Sequence, residues 1–283
     1  MPQFRDYFLD QTNENTRLLR QHEQIKALIG GLVPPEIDLS TINRALDLAC
    51  GPGGWALDLA RTYPQVQVVG VDASEVALGE ARRLAIRDHL SNALFREVDL
   101  TSEAGLPFPD SHFDLVWARL LFGHLPTRTW ELLLREVYRV LRPNRAFVAV
   151  DVDWMSGSFS IPEYERLKQL VNTLLIKGGR IPRFGVLGPA LLRRIGFDRL
   201  WTRPMIYAFS FQQGDQPVPE SIRRMQANVL GLIHNARTAI LNAGLISAEE
   251  FDQLYEEAYQ KIESDRDAVM VELLYTISGR KPG

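Results

Sequence analysis

The sequence predicts an α/β protein with a doubly wound sheet, and three observations carry that prediction. Short β-branched runs alternate with longer helical stretches across roughly residues 44–151. The first run passes through a glycine-rich turn straight into a helical pattern. An acid, Asp47, Asp72 or Asp99, stands at the end of each of the first three runs. Strands separated by helices imply a parallel sheet covered on both faces.

Taken in order, residues 1–38 read as helix to about Leu32, broken by Pro34–Pro35. Candidate strands follow at Arg44–Leu48, Val66–Val71, Leu94–Val98, Phe113–Ala118 and Ala146–Asp151. Between the last two, Trp130, Leu133, Leu134, Val137, Tyr138 and Leu141 share one face of a helix predicted over Thr127–Leu141. Helices near Pro162–Lys177 and Gly188–Ile195 and a strand near Arg203–Phe211 come next. Two amphipathic helices, at about 217–243 and 247–266, then precede a last strand at Ala268–Ile277. Ser247 and Glu250 form a capping box for the second. The predicted division is a helical cap (1–38), a core (39–214 and 267–283) and a helical lid (215–266) folded over the C-terminal edge of the sheet.

Composition narrows the function. The 283 residues carry 32 basic against 35 acidic side chains and are 46% hydrophobic, which excludes disordered and fibrous classes. The near-balance leaves no global footprint for nucleic acid or an anionic membrane. The single cysteine, Cys50, supplies neither an intrachain disulfide nor a cysteine-rich zinc site, and no metal-ligand spacing stands out. The first 21 residues lack a signal-peptide apolar run, and no segment reaches the ~20 apolar residues of a spanning helix. The expectation is a cytoplasmic protein with a small-molecule partner, no membrane partner and nucleic acid disfavoured; the oligomeric state is left open.

The turn Ala45-Leu-Asp-Leu-Ala-Cys-Gly-Pro-Gly-Gly-Trp-Ala56 fits two cofactors. Gly51-x-Gly53-x-x-Ala56 with Asp72 downstream matches a dinucleotide fingerprint. Charge separates the readings. Asp47 lies four residues before Gly51 and no Lys or Arg occupies the turn, so a pyrophosphate would face a carboxylate. S-adenosylmethionine carries an ammonium and a sulfonium at that end and would be attracted. Asp72 can accept from both ribose hydroxyls, and Asp99, with Leu100 beside it, from the adenine amino group.

These residues resemble the class I S-adenosylmethionine-dependent methyltransferases. The family's V-L-D-x-G-x-G-x-G appears as Ala45-Leu-Asp-Leu-Ala-Cys-Gly-Pro-Gly53, with Ala49 in place of the first glycine. Val71-Asp72 and Asp99 match its second- and third-strand acids. Leu106–Val116 is similar to its approach to the fourth strand, and Leu134–Asn144 to its helix and turn before the fifth, with Asn144 replacing a glycine. The resemblance covers roughly residues 40–150 and, more weakly, Gly188–Phe197 and the terminal strands. Arg17–Gln21 is similar to the capping helix of small-molecule members. The resemblance implies a Rossmann-like seven-stranded sheet of order 3-2-1-4-5-7-6, with cofactor contacts from Asp47, Ala49, Gly51, Gly53, Asp72, Ala73, Asp99, Leu100 and Arg119.

Other residues carry two readings. Arg119, past the fourth strand, points at the cofactor carboxylate or at solvent. His124 lines the methyl-transfer site as an assisting base or orienter, or packs at a helix start. Asp151, Asp153 and Trp154 follow the fifth strand; the group binds substrate, with Asp153 and Trp154 the named candidates, or caps the next helix. Cys50 lacks a base partner and is read as packing in the turn or as a backbone contact to the cofactor, not as a nucleophile. Phe108, Phe122, Trp130 and Trp201 are read as core.

In-line methyl transfer draws mainly on alignment, worth on the order of 7–11 kcal/mol. The sequence is therefore read as an S-adenosylmethionine-dependent small-molecule methyltransferase yielding S-adenosylhomocysteine, its pocket roofed by the cap and lid helices. The rivals are an RNA or protein methyltransferase, a non-methylating cyclase or regulator on the same fold and, more remotely, an NAD-dependent dehydrogenase.

Overall fold

Seven strands hydrogen-bond in the order β3-β2-β1-β4-β5-β7-β6, as the family resemblance implies. In the computed structural model, which describes residues 14–210, 229–264 and 269–283, they are β1 (Arg44–Leu48), β2 (Gln67–Asp72), β3 (Ala93–Glu97), β4 (Phe113–Arg119), β5 (Leu141–Phe159), β6 (Asp198–Ser210) and β7 (Val269–Arg280). β1 to β5 run parallel, and β7 lies antiparallel between β5 and β6. The helices are α1 (Glu14–Ile29), α2 (Gly54–Thr62), α3 (Glu75–Arg87), α4 (Trp130–Val140), α5 (Pro162–Lys177), α6 (Phe184–Ile195), α7 (Arg237–Asn242) and α8 (Ala248–Ser264). Residues 229–235 are also helical. The expectations for 1–13, 211–228 and 265–268 lie outside the described residues. Among the described residues no helix is long and apolar enough to cross a membrane.

The central strands are buried on both faces because their side chains alternate between two helical layers. Ala45, Leu115, Trp117, Val148 and Val150 pack with α1, α2 and α3, where Trp55 stacks on Trp117 at 5.0 Å. Leu46, Leu48, Val116, Ala118, Phe147 and Ala149 pack with α4 and α6, where Phe122 stacks on Phe184 at 3.6 Å. Phe108, Phe122 and Trp130 are core, whereas Trp201 is half-buried under Arg203. A third apolar cluster joins α5, Leu230, Ile233, α7 and α8 at one end of the molecule. There Ser247 and Glu250 close the capping box, Glu250 N donating to Ser247 Oγ at 3.2 Å and Ser247 N to Glu250 Oε2 at 3.2 Å.

Several elements differ from expectation; β6 begins at Asp198 rather than Arg203, and β7 runs on to Arg280 rather than Ile277. β5 continues eight residues past Asp151, because antiparallel pairing with β7 carries it on through a register shift between Asp153 and Ser158. α6 begins at Phe184 rather than Gly188. Gly185, Gly188 and Pro189 read locally as breakers, but the burial of Phe184 against Phe122 outweighs them. α4 begins at Trp130, preceded by a tight turn over Thr127–Thr129.

Candidate active site

The order of strands reverses direction between β1 and β4, and ligands of such sheets bind at the C-terminal strand ends beside that switch. A cavity of about 470 Å³ opens there. Its floor is the turn from β1 to α2, in which Ala49, Gly51 and Gly53 all take positive φ, at 52°, 54° and 82°. Gly53 has a second reason to lack a side chain: a Cβ would come within 3.0 Å of Ala81 and the Phe95 ring. The turn is tied to β2 by Gly51 N donating to Asp72 Oδ2 at 2.8 Å, while Asp72 Oδ1 accepts from Ser74 N at 2.9 Å. Each oxygen keeps acceptor capacity on the cavity wall.

The opposite wall is set by a relay. Arg119 Nη1 donates to His22 Nδ1 at 2.7 Å, so His22 Nδ1 accepts and its proton sits on Nε2, which donates to Asp58 Oδ2 at 3.0 Å. Burial lowers the His22 pKa, in keeping with this neutral tautomer. Burial alone would raise Asp58, but hydrogen bonds from His22 and Lys26 hold it well below the usual carboxylate range. Enclosure likewise lowers the Arg119 pKa, against the pull of Asp47. Glu23 and Asp58 approach His22 closely enough to resemble a metal cluster, but Lys26 already bridges the two carboxylates at 2.7 Å each.

His124 lies on the rim of the cavity, an exposed residue that also lines its wall. Desolvation by the surrounding protein lowers its pKa, helped by Arg17 and Arg180, so the ring is neutral near pH 7. Among the described residues no side chain hydrogen-bonds its ring nitrogens. The turn carrying it is held by Asp151, whose Oδ2 accepts from Phe122 N at 2.9 Å and whose Oδ1 accepts from Val152 N at 2.9 Å. Burial pushes Asp151 up to about 7 against these bonds.

The sequence-derived candidates thus divide. Ala49, Gly51, Asp72, Arg119, His124 and Trp154 line one cavity. Asp47 lies beneath it, 3% exposed and pushed up to about 7 by burial, with the Arg119 charge and the Ala56 N–H opposing. Gly53 shapes the turn, and Ala73 and Leu100 do not reach the cavity wall. Asp99 is exposed and accepts from Thr101 N at 2.8 Å and Thr101 Oγ1 at 2.7 Å, a local turn outside the cavity. Asp153 is fully buried and faces away, taken up by Met155 N at 3.1 Å, Ser156 Oγ at 2.6 Å and Arg183 at 3.3 Å. Asp151, Val152 and Trp154 line the cavity, whereas the bonds to Ser156 and Arg183 hold the Asp153 carboxylate away from it.

Asp151, named in the sequence as bordering the pocket, acts as a clamp on its wall; the sequence did not single out two further contributions, the apolar face of α5 (Val171, Leu174, Leu175) and Glu272 on β7. Glu272 had a signal, a lone carboxylate within the apolar run Val269–Tyr275. Of the expected roof, the described residues include α1, the helical segment from 229, α7 and α8. Val229, Leu232 and Ala236 line the cavity, but α8 stands behind them, packed on α5.

Comparison with known proteins agrees with this geometry. Residues 45–144 match a family model described as a methyltransferase domain. A fatty-acid O-methyltransferase of Mycolicibacterium smegmatis is 36% identical over 124 residues, covering 44% of this chain and 41% of that protein. A demethylmenaquinone methyltransferase of Thermus thermophilus is 40% identical over 109 residues, covering 38% and 47%. The chain spans about half the length of the curated relatives it matches. Among solved structures, Haemonchus contortus phosphoethanolamine N-methyltransferase 2 in complex with S-adenosyl-L-methionine shares the fold, with a TM-score of 0.52 at 18% identity over 100% of this chain and 61% of that one. Residues 45–144 thus carry a methyltransferase domain.

Proposed function

We propose that the protein is an S-adenosylmethionine-dependent methyltransferase acting on a small molecule, with residues 1–38 as a cap and 215–266 as a lid on the core. The observation that carries this reading is the convergence of the glycine turn, Asp72, Arg119 and His124 on a single cavity with otherwise largely apolar walls. The turn fits the cofactor: three left-handed positions at alternate residues, Ala49, Gly51 and Gly53, leave backbone groups, without bulky side chains, at the start of α2. Asp72 would hold the ribose hydroxyls and Arg119 the carboxylate. When bound, S-adenosylmethionine supplies an electrophilic methyl group on its sulfonium.

The chain's own residues then align and shield the acceptor. α1, α5 and the segment 229–236 close the cavity from the side, and an apolar enclosure of this size suits a small molecule better than a polymer. His124, neutral and on the wall of the cavity, can accept the proton that a hydroxyl or amine acceptor releases, an assistance worth roughly 10²–10⁴-fold. Asp151 fixes its position without contacting that proton.

Calorimetry with S-adenosylhomocysteine tests the reading. Binding is expected, and Asp72→Ala is expected to weaken it by about 1.5–3 kcal/mol, the loss of hydrogen bonds to a charged group. Absence of heat with the wild-type protein, or an unchanged affinity in the variant, overturns it.

A further inference from the structure

β7 brings an unpartnered carboxyl to the wall of the cavity. Glu272 and Leu274 are two residues apart on one face of the strand, and both line the cavity. Glu272 is 5% exposed, and neither Oε1 nor Oε2 has a hydrogen-bond partner. Behind it, β5 leaves no space for one: a Cβ on Gly157 would come within 3.1 Å of Glu272 Cδ. Lys168, 2% exposed, contributes charge but directs its ammonium to the Gly157 carbonyl and over the Phe159 ring at 4.8 Å.

Folded proteins rarely leave a buried carboxyl unsatisfied, because desolvation is then uncompensated. Burial accordingly pushes Glu272 up to about 7, with Lys168 opposing. The neighbouring wall, Val152, Val171, Leu174 and Leu274, offers no polar atom from its side chains. An occupant that satisfies both kinds of surface is apolar over most of its length and bears a hydrogen-bond donor.

We propose that Glu272 is the substrate-recognition group of this cavity, receiving an amine or hydroxyl donor carried by an otherwise apolar small molecule. The proposal rests on reading the cavity as the acceptor site of a methyltransferase. It assigns Glu272 to specificity and leaves proton acceptance to His124.

The test uses three probes of one shape: octylamine, 1-octanol and methyl octyl ether, which lacks a donor. Each is titrated calorimetrically into the full chain, with and without S-adenosylhomocysteine. The wild-type protein is expected to bind at least one donor probe about 10–100-fold more tightly than the ether. Glu272→Leu should erase that preference while retaining the ether. Glu272→Gln, nearly isosteric, should keep a preference for the alcohol and lose one for the amine, which distinguishes the two donors. No preference in the wild-type protein, including failure of every probe to bind, overturns the proposal, as does the same preference in Glu272→Leu or, should that variant not fold, an unchanged amine preference in Glu272→Gln. S-adenosylhomocysteine binding is measured separately on each protein, so a failed cofactor site and a failed Glu272 site give different results.

Discussion

Two positions where the family has glycine show how little a turn demands when its backbone path is otherwise supported. Ala49 and Asn144 both adopt left-handed backbone, at φ 52° and 63°. Asparagine tolerates that region, whereas alanine keeps its Cβ there at a cost of roughly 1–2 kcal/mol. The path at Ala49 survives because Cys50 N is bonded to Val71 O at 3.0 Å and Gly51 N to Asp72 at 2.8 Å. A β-branched residue should not be tolerated. Ala49→Val is expected to lower stability by about 1–3 kcal/mol and to weaken S-adenosylhomocysteine binding. Ala49→Gly should change each by less than about 0.5 kcal/mol, because relief of strain is offset by the flexibility glycine adds to the unfolded chain. Chemical denaturation and calorimetry on the two variants check both halves; equal behaviour of Val and Gly would show that the turn is not conformationally selective.

The N-terminal helix α1 becomes part of the site through one side chain. His22 is 3% exposed, rests so closely on the start of α2 that a Cβ on Gly54 would meet it at 2.9 Å, and joins Asp58 to Arg119. Ile25 and Ile29 add apolar contact on the same face. Removing the imidazole therefore loosens the helix and leaves Arg119 less well positioned. His22→Ala is expected to cost about 1–3 kcal/mol of stability. Hydrogen exchange should accelerate along Glu14–Ile29 while β1 and β4 remain protected. Unchanged exchange in α1 would mean that apolar packing alone docks the helix. The lid side is organised differently: α8 holds α5 and the 229–236 segment from behind through Phe251, Ala258 and Ile262.

Across the whole molecule, the two ends of the sheet have different work. The C-terminal ends of β1, β2 and β4 present the cavity, and the antiparallel pair β5–β7 extends one wall beyond the parallel strands. The opposite end is sealed by Asp114, 1% exposed, which accepts from Asn43 N at 2.9 Å, Arg44 N at 3.0 Å and Arg142 Nη1 at 2.9 Å. These bonds tie β4 to the start of β1, at the end of the sheet away from the cavity. Asp114→Ala should cost about 2–4 kcal/mol, chiefly by leaving buried donors unpaired, with S-adenosylhomocysteine affinity unchanged. Thermal unfolding and calorimetry separate the two effects, and a parallel loss of affinity would show that the two ends are coupled.

The architecture was legible in the residues because it depends on local signals. Apolar periodicity marked Arg44–Leu48 and Pro162–Lys177 at their observed bounds, and the glycine turn with Asp72 located the floor of the cavity. The direction in which an acid at a strand end points is not local. Asp47 is folded beneath the turn, Asp99 closes on Thr101, and Asp153 is taken up by Ser156 and Arg183 in a strand whose length is set by pairing with Leu273, far along the chain. The same holds for the most informative polar groups. His22 acquires its tautomer only when α1 meets Asp58 and Arg119, and Glu272 loses every partner only when β5 and β7 come together. Sequence periodicity specifies which residues are covered, but hydrogen-bond satisfaction depends on neighbours brought from distant segments, so those roles belong to the tertiary structure.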